Sequence, residues 1–344
     1  MTLKVSARRK VGATPLDLPV FGFGAAHLGE LYTLVTEAES LATMDAAWDA
    51  GVRYFDTAPW YGRGLSEHRL GGYLRTKKRG DFQITTKVGR TLYRPRDFAR
   101  FSRKPWLGGL NFEVNFDYSY DGVMRSYEQA LQRLALDTVD ALVIHDLDAD
   151  FHGDKLAGYE RQLFDSGMKA LAELKASGDI KAFGMGINTG EALRTTATKV
   201  DLDFALVAMP YTLLDQSDLH TGMATCVKRG VSVIIGAPFA SGILVTGSQA
   251  GAKYAYGNAS EQVQARVRGI EAVCAAHKVG LPAAALQFVL AHPAVVSVIP
   301  GASRPVEVTQ NIASLERAIP AGFWSDLKTE NLIDKDAPVP EGKG

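Results

Sequence analysis

A chain of 344 residues exceeds the ~100–200 residues of an average domain, which leaves two domains or one large barrel or sheet. Its 38 Lys and Arg balance 38 Asp and Glu, so no net field draws it to nucleic acid or to an anionic membrane, and neither is expected as a partner. With 46% hydrophobic and 22% charged residues and no low-complexity tract, the composition excludes disorder and predicts a soluble globule with a large core.

The N-terminal MTLKVSARRK has basic residues but no apolar run of signal-peptide length. No stretch approaches the ~20 apolar residues of a membrane span, so a cytoplasmic location is expected. Cys226 and Cys274 are the only cysteines. They are too few for a disulfide framework or a thiolate metal site and read as buried apolar side chains.

Eight runs rich in β-branched and aromatic residues read as strands: 20–23, 52–55, 82–86, 139–145, 182–187, 204–209, 231–236 and 295–299. Between the first two, Leu41, Met44 and Trp48 share a helical face that Gly51 terminates. Asp121 reads as the N-cap of a helix with Val123, Tyr127, Leu131 and Leu134 on one face, and Met168, Leu171 and Lys175 mark another that ends at Gly178. Alternating strands and helices force parallel pairing, and eight repeats predict one (β/α)8 barrel domain spanning 1–344.

The intervals after the third, fourth and seventh strands exceed the ~30 residues of a βαβ unit, so long loops are expected there, on the face where barrels build active sites. Segment 88–120 holds Tyr93, Trp106, Phe112, Phe116, Tyr118 and Tyr120. It reads as an irregular loop, either a lid on a substrate pocket or a staple on the barrel rim. The tail from Ala318, with Pro320, Pro338 and Pro340, is expected to wrap the outside or cross the pocket mouth.

Asp56 ends the second strand, Tyr61 follows on its loop, Lys87 ends the third strand and His145 the fourth. A carboxylate, a phenol, an ammonium and an imidazole thus converge on the C-terminal rim. An ammonium held by a buried carboxylate is expected to lower a nearby phenol's pKa and make it a usable acid/base, while an imidazole donates to a substrate oxygen. No nucleophile is evident, so proton transfer coupled to a second event fits. A Rossmann site is disfavoured because Gly22-Phe23-Gly24-Ala25-Ala26-His27 lacks a third glycine. A metal hydrolase using His27, His145 and Asp56 lacks the HxH or HExxH spacing, so no metal is expected.

The run from Gly51 through Asp56 and Tyr61 to Gly62, the Thr85-Thr86-Lys87 end of the third strand, Leu142-Val143-Ile144-His145, and Ser66-Glu67 followed by Leu70-Gly71 resemble the aldo-keto reductase family in motif, order and spacing. The resemblance extends over 21–311. It implies an NAD(P)-dependent oxidoreductase with Tyr61 as acid/base, Lys87 tuning it, Asp56 holding Lys87 and His145 orienting the carbonyl. Hydride transfer to or from nicotinamide is the second event.

The same resemblance assigns the cofactor site. Asn188 stands beside the nicotinamide amide, although Gly184-Met185-Gly186-Ile187-Asn188 lacks the family's serine. Pro238, Phe239, Ser241 and Gly242 match the pyrophosphate loop, and Gly236 replaces a stacking tyrosine. Gly301, Ser303, Arg304, Glu307 and Asn311 match the adenosine-phosphate segment. Gly301 and Glu307 stand where NADP-preferring members place lysine and arginine, which implies NAD over NADP, with Arg304 the one cation left to reach a phosphate.

Gly24-Ala25-Ala26-His27 together with Tyr211 to Gln216 resembles the branch that oxidises cyclic hemiacetals, of L-fucose, D-threo-aldoses or pyridoxal, to lactones. His27 and Trp60 are then expected in the substrate pocket. The alternatives are an NADPH-dependent aldehyde or ketone reductase and a cofactor-bound regulatory subunit of a membrane channel.

Overall fold

The computed structural model of the chain describes residues 3–255 and 257–341; residues 1–2, 256 and 342–344 of the predicted domain lie outside the described residues. Eight parallel strands pair in chain order: β1 (Phe23–Gly24), β2 (Tyr54–Asp56), β3 (Gln83–Val88), β4 (Ala141–His145), β5 (Ala182–Ile187), β6 (Phe204–Val207), β7 (Ser232–Ile235) and β8 (Val295–Val298). Parallel bridges of Phe21 with Val298 and Gly24 with Gly301 join the last strand to the first. The sheet closes as the predicted (β/α)8 barrel.

Side chains alternate along each strand, and the alternation builds two cores. Tyr54, Ala141, Val143, Ala182, Phe204, Leu206, Ile234 and Val296 fill the inside of the barrel. Phe55, Ile84, Leu142, Ile144, Phe183, Ala205, Val233 and Ile235 belong to the outer core beneath the helices. Strand ends differ from the sequence pattern by at most three residues, and 182–187 is matched at both ends; β1 is only two residues long, and Lys87 lies inside β3 rather than at its end.

A hairpin not evident in the sequence pairs Arg8–Lys10 with Asp17–Pro19, and Val11, Leu16 and Leu18 enter the inner core. Gly12 N–H donates to Ser232 Oγ at 2.9 Å, and Arg9 Nη1 donates to Leu290 O at 2.9 Å. This apolar cap closes one end, which leaves the C-terminal rim for polar chemistry.

The helix Glu37–Asp49 buries Ser40, Thr43, Met44 and Ala47 rather than the expected Leu41, which is exposed, because the barrel meets the small-residue stripe. Ser119, not Asp121, caps Tyr120–Leu134, its side chain accepting from Gly122 N. Gly178, with φ of 86°, ends Met168–Ser177 as expected.

The long intervals are largely structured. After β3, Arg90–Tyr93 pairs with Glu113–Phe116 in a hairpin, so 88–120 is only partly irregular. After β4 come the helices Ala149–His152 and Leu156–Gln162, and after β7 the added helix Glu261–His277. The tail contributes a helix, Ala321–Thr329, which buries Phe323, Trp324 and Leu327. Arg266 Nη2 donates to Leu332 O at 2.9 Å, so the tail wraps the outside. Cys226 and Cys274 are free and buried, and burial pushes their thiols up to about 12 and about 11. Among the described residues no single helix is long and apolar enough to cross a membrane.

Burial pushes His292 down to about 4 and also lowers His27, His145 and His152. Each takes up a proton more readily in the unfolded chain, so these groups withdraw stability as pH falls below about 6.5, continuing toward 4 for His292. Melting temperatures measured from neutral pH downward are expected to decline through this window, with a shallower decline for His292→Asn.

Candidate active site

β2 and β3 pair with Asp56 opposite Thr85, which places Lys87 two residues further up the same face. Lys87 Nζ donates to Asp56 Oδ1 at 2.5 Å and to Thr57 O at 2.9 Å. Thr85 Oγ1 donates to Asp56 Oδ2 at 2.7 Å. That hydroxyl proton is committed to the carboxylate, so Tyr54, at 3.1 Å, donates to Thr85. Asp56 and Lys87 are both buried, 3% and 1% exposed. Removing either would strand the other charge, a loss of about 3–5 kcal/mol. Burial raises the Asp56 carboxyl, while Lys87 and Thr85 pull it back.

Tyr61 begins a tight turn in which Gly62, Arg63 and Gly64 all have positive φ. Arg63 fastens that turn to the 88–120 segment by donating to Ser102 O at 2.8 Å and Phe112 O at 2.9 Å. The Tyr61 ring centre lies 4.6 Å from Lys87 Nζ, 5.9 Å from the His145 ring and 5.8 Å from Trp106. Trp106 also meets Trp60 at 5.8 Å. The four catalytic candidates and Trp60 therefore gather at one rim, with Trp106 over them.

One electrostatic expectation fails. Lys87 was expected to lower the Tyr61 hydroxyl, yet burial pushes it well above 10, Asp56 and Asp146 add to the rise, and Arg90 opposes it. Burial is the chief cause, because desolvation disfavours the phenolate, and the Asp56 carboxylate that pairs with the ammonium at 2.5 Å adds to the rise.

His145 ends β4 among groups the sequence did not single out. Arg90, wholly buried, brings Nη1 to 3.3 Å from His145 Nδ1 and donates from Nη2 to Asp146 Oδ2 at 2.7 Å. Asn188 Nδ2 donates to Asp146 Oδ1 at 2.9 Å. Tyr118 donates to His145 O at 2.7 Å. Its ring crowds Gly89, whose φ is +95° and at which a Cβ would lie 2.3 Å away, so only glycine suits that position. Burial, then Arg90 and Lys87, hold His145 well below its usual pKa, so it is neutral. The available signals were Arg90 shortly after Lys87 and Asp146 directly after His145.

The cofactor candidates occupy the same rim. Pro238 is buried and Phe239 half-buried on the loop after β7, and Ala240, Ser241 and Gly242 there have φ of 47°, 60° and 101°. Two consecutive non-glycine residues in the left-handed region hold roughly 1–3 kcal/mol of strain each, which suits a backbone shaped around an anion. Gly236 packs toward Leu206. After β8, Ser303 donates from N and Oγ to Glu307 Oε2 at 2.7 and 3.1 Å. Arg304 is exposed and Asn311 buried.

His27 packs on this segment. A Cβ at Gly301 would lie 2.2 Å from its Nδ1, which is buried without a partner; Glu307 acts on it electrostatically, and its ring meets Tyr32 at 6.3 Å. His27 thus stands at the β1–β8 seam, on the Ala25–Gly29 turn that packs against the Tyr61–Gly64 turn. Among the described residues the one group of ligand atoms close enough to share a metal ion is His220, Asp334 and Asp336, apart from Asp56, His27 and His145.

Comparison with known proteins agrees with this architecture. The Aldo/keto reductase family profile matches residues 20–330. Pyridoxal 4-dehydrogenase of Microbacterium luteolum is 40% identical over 97% of this chain and 100% of its own length. D-threo-aldose 1-dehydrogenase of a Pseudomonas species is 37% identical over 95% and 98%. The holo form of an aldo-keto reductase from Bacillus halodurans superposes with a TM-score of 0.72 at 24% identity, covering 98% of both chains, a likeness of fold. By fold and by full-length similarity, this chain belongs to the aldo/keto reductase family and is an oxidoreductase that uses a nicotinamide cofactor.

Proposed function

We propose that the protein is an NAD-dependent dehydrogenase that oxidises a cyclic hemiacetal, of an aldose or of pyridoxal, to its lactone. The observation that carries this is the gathering of Lys87, Tyr61 and His145 on one rim, with Lys87 Nζ held at 2.5 Å by Asp56 and 4.6 Å from the Tyr61 ring centre. The names of the two relatives point to a sugar and to pyridoxal. Both substrate classes form ring hemiacetals in water.

Tyr61, as phenolate, takes the hemiacetal hydroxyl proton while the carbinol carbon loses its hydrogen as hydride, and that C–O becomes the lactone carbonyl. Bound nicotinamide supplies the hydride acceptor. Lys87 and Asp56 hold the base in place, and neutral His145 directs an N–H at the substrate oxygen. Asn188 would hold the carboxamide of the dinucleotide, with Pro238, Phe239, Ser241 and Gly242 along its pyrophosphate and Gly301, Ser303, Arg304, Glu307 and Asn311 at its adenosine end.

Glu307 supports NAD over NADP. Its carboxylate, kept in place by Ser303, would repel a 2′-phosphate ~4 Å away by roughly 4 kcal/mol at an effective dielectric near 20. A free ribose hydroxyl would instead donate to it.

The test is reduction of NAD and, separately, NADP against a panel of aldoses and pyridoxal. Turnover with at least one hemiacetal and a higher kcat/KM with NAD is expected. No turnover would refute the substrate class, and equal use of NADP would refute the role given to Glu307. Because the Tyr61 hydroxyl is raised, oxidation needs a form scarce at neutral pH, so kcat/KM should climb on the alkaline side. A profile falling above pH ~8 would contradict a phenolate base.

A further inference from the structure

Arg90 is a buried cation with no part in the roles above. Its side chain is 0% exposed. Its charge meets one carboxylate, Asp146, and three ring faces: Trp60 at 5.1 Å, Phe116 at 5.2 Å and Phe151 at 4.8 Å. Desolvating a guanidinium so fully is expensive, and a surface residue would serve if only the hairpin needed holding.

A guanidinium only donates, so at 3.3 Å it requires His145 Nδ1 to be the acceptor and puts the ring proton on Nε2. Nε2 lies 3.2 Å from Asp146 Oδ2, which also accepts from Arg90 Nη2, so the carboxylate favours a proton on the same ring nitrogen. Asp146 Oδ1 receives Asn188 Nδ2 at 2.9 Å, which orients that amide and leaves its carbonyl oxygen as the acceptor end. One ion pair thus reaches both the imidazole and the amide to which the proposed function gives the substrate oxygen and the nicotinamide. The groups acting on His145 are Arg90, Asp146 and Lys87, with the Tyr61 ring across the site.

We propose that Arg90 and Asp146 form a positioning pair that fixes the Nε2–H tautomer of His145 and the amide orientation of Asn188, holding substrate oxygen and nicotinamide in register. The inference rests on the dehydrogenase reading above. Lysine cannot replace the arginine, because one ammonium cannot present two parallel N–H groups to an imidazole and a carboxylate.

The test compares the full-length protein with Arg90→Ala, Arg90→Lys and Asp146→Asn. Imidazole ¹⁵N shifts of His145 are read without substrate, NAD binding by fluorescence quenching, and turnover with NAD and L-fucose or pyridoxal. Wild type should show the Nε2–H tautomer, and Arg90→Ala a tautomer mixture with kcat down about 10²-fold. Millimolar methylguanidinium should return at least about tenfold of that loss, and Arg90→Lys should not recover it. Asp146→Asn should weaken NAD binding about tenfold, acting through Asn188. A single Nε2–H tautomer in Arg90→Ala, or activity within about threefold of wild type, would overturn the proposal. If Arg90→Ala does not fold, Asp146→Asn decides: unchanged NAD binding and unchanged His145 shifts overturn it. Failure of the dehydrogenase reading would show separately, as wild type without turnover, because the tautomer is read independently of activity.

Discussion

Tyr61→Phe should bind NAD nearly as wild type does and turn over about 10²–10⁴-fold more slowly. The substitution removes one oxygen and keeps the ring that packs on Trp106 and His145 at 5.8 and 5.9 Å, so folding and the pocket wall survive. Only proton transfer is lost, which places the loss in kcat rather than in dinucleotide affinity. Lys87→Met provides the contrast: it strands the buried Asp56 carboxylate, 3% exposed, and should lower the melting temperature as well as the rate. Stopped assays with a urea titration of each variant separate the two outcomes. A Tyr61→Phe enzyme within about tenfold of wild type would mean that another group moves the proton.

The second large effect concerns the choice of dinucleotide. Gly301→Lys alone should fail to favour NADP, even though it restores a cation at the expected place. Its Cβ would fall 2.2 Å from His27 Nδ1 and 2.6 Å from Cε1, so the ring must leave before the lysine can settle, and both dinucleotides should bind more weakly. Combining it with His27→Ala and Glu307→Arg clears the space and replaces the repelling carboxylate by a guanidinium. The triple variant should shift the NADP to NAD ratio of kcat/KM by about 10²-fold or more, consistent with removing a few kcal/mol of repulsion. A single Gly301→Lys variant that already prefers NADP would show that His27 is no obstacle. A triple variant still selective for NAD would show that Glu307 lies away from the ribose.

Much of this site is legible from chain order, because a parallel barrel brings the C-terminal end of every strand to one rim. Asp56, Lys87 and His145 are each at or near a strand end, and Tyr61 follows within one turn, so strand assignment alone converges them. Arg90 and Asp146 were equally close in sequence but unremarkable among 76 charged residues. Whether a charged residue is buried depends on what folds over it, here the Arg90–Tyr93 and Glu113–Phe116 hairpin with Trp60 and Phe151. The hairpin at Arg8–Lys10 was silent for a related reason: three polar residues carry no alternation, and its apolar residues Val11, Leu16 and Leu18 gain meaning only inside the barrel.

The amino-acid order determined which polar groups share the rim, since strand succession and helix length are local properties and a closed parallel sheet allows one arrangement of its ends. It could not determine the direction in which the Tyr61 pKa moves, the tautomer of His145 or the seat of His27. Those depend on distances of a few ångströms between residues far apart in the chain. Burial and Asp56 raise the phenol, Arg90 selects the imidazole nitrogen, and Gly301 admits a ring where a side chain would stand. Electrostatics and close packing fall off so steeply with separation that only the folded chain decides them.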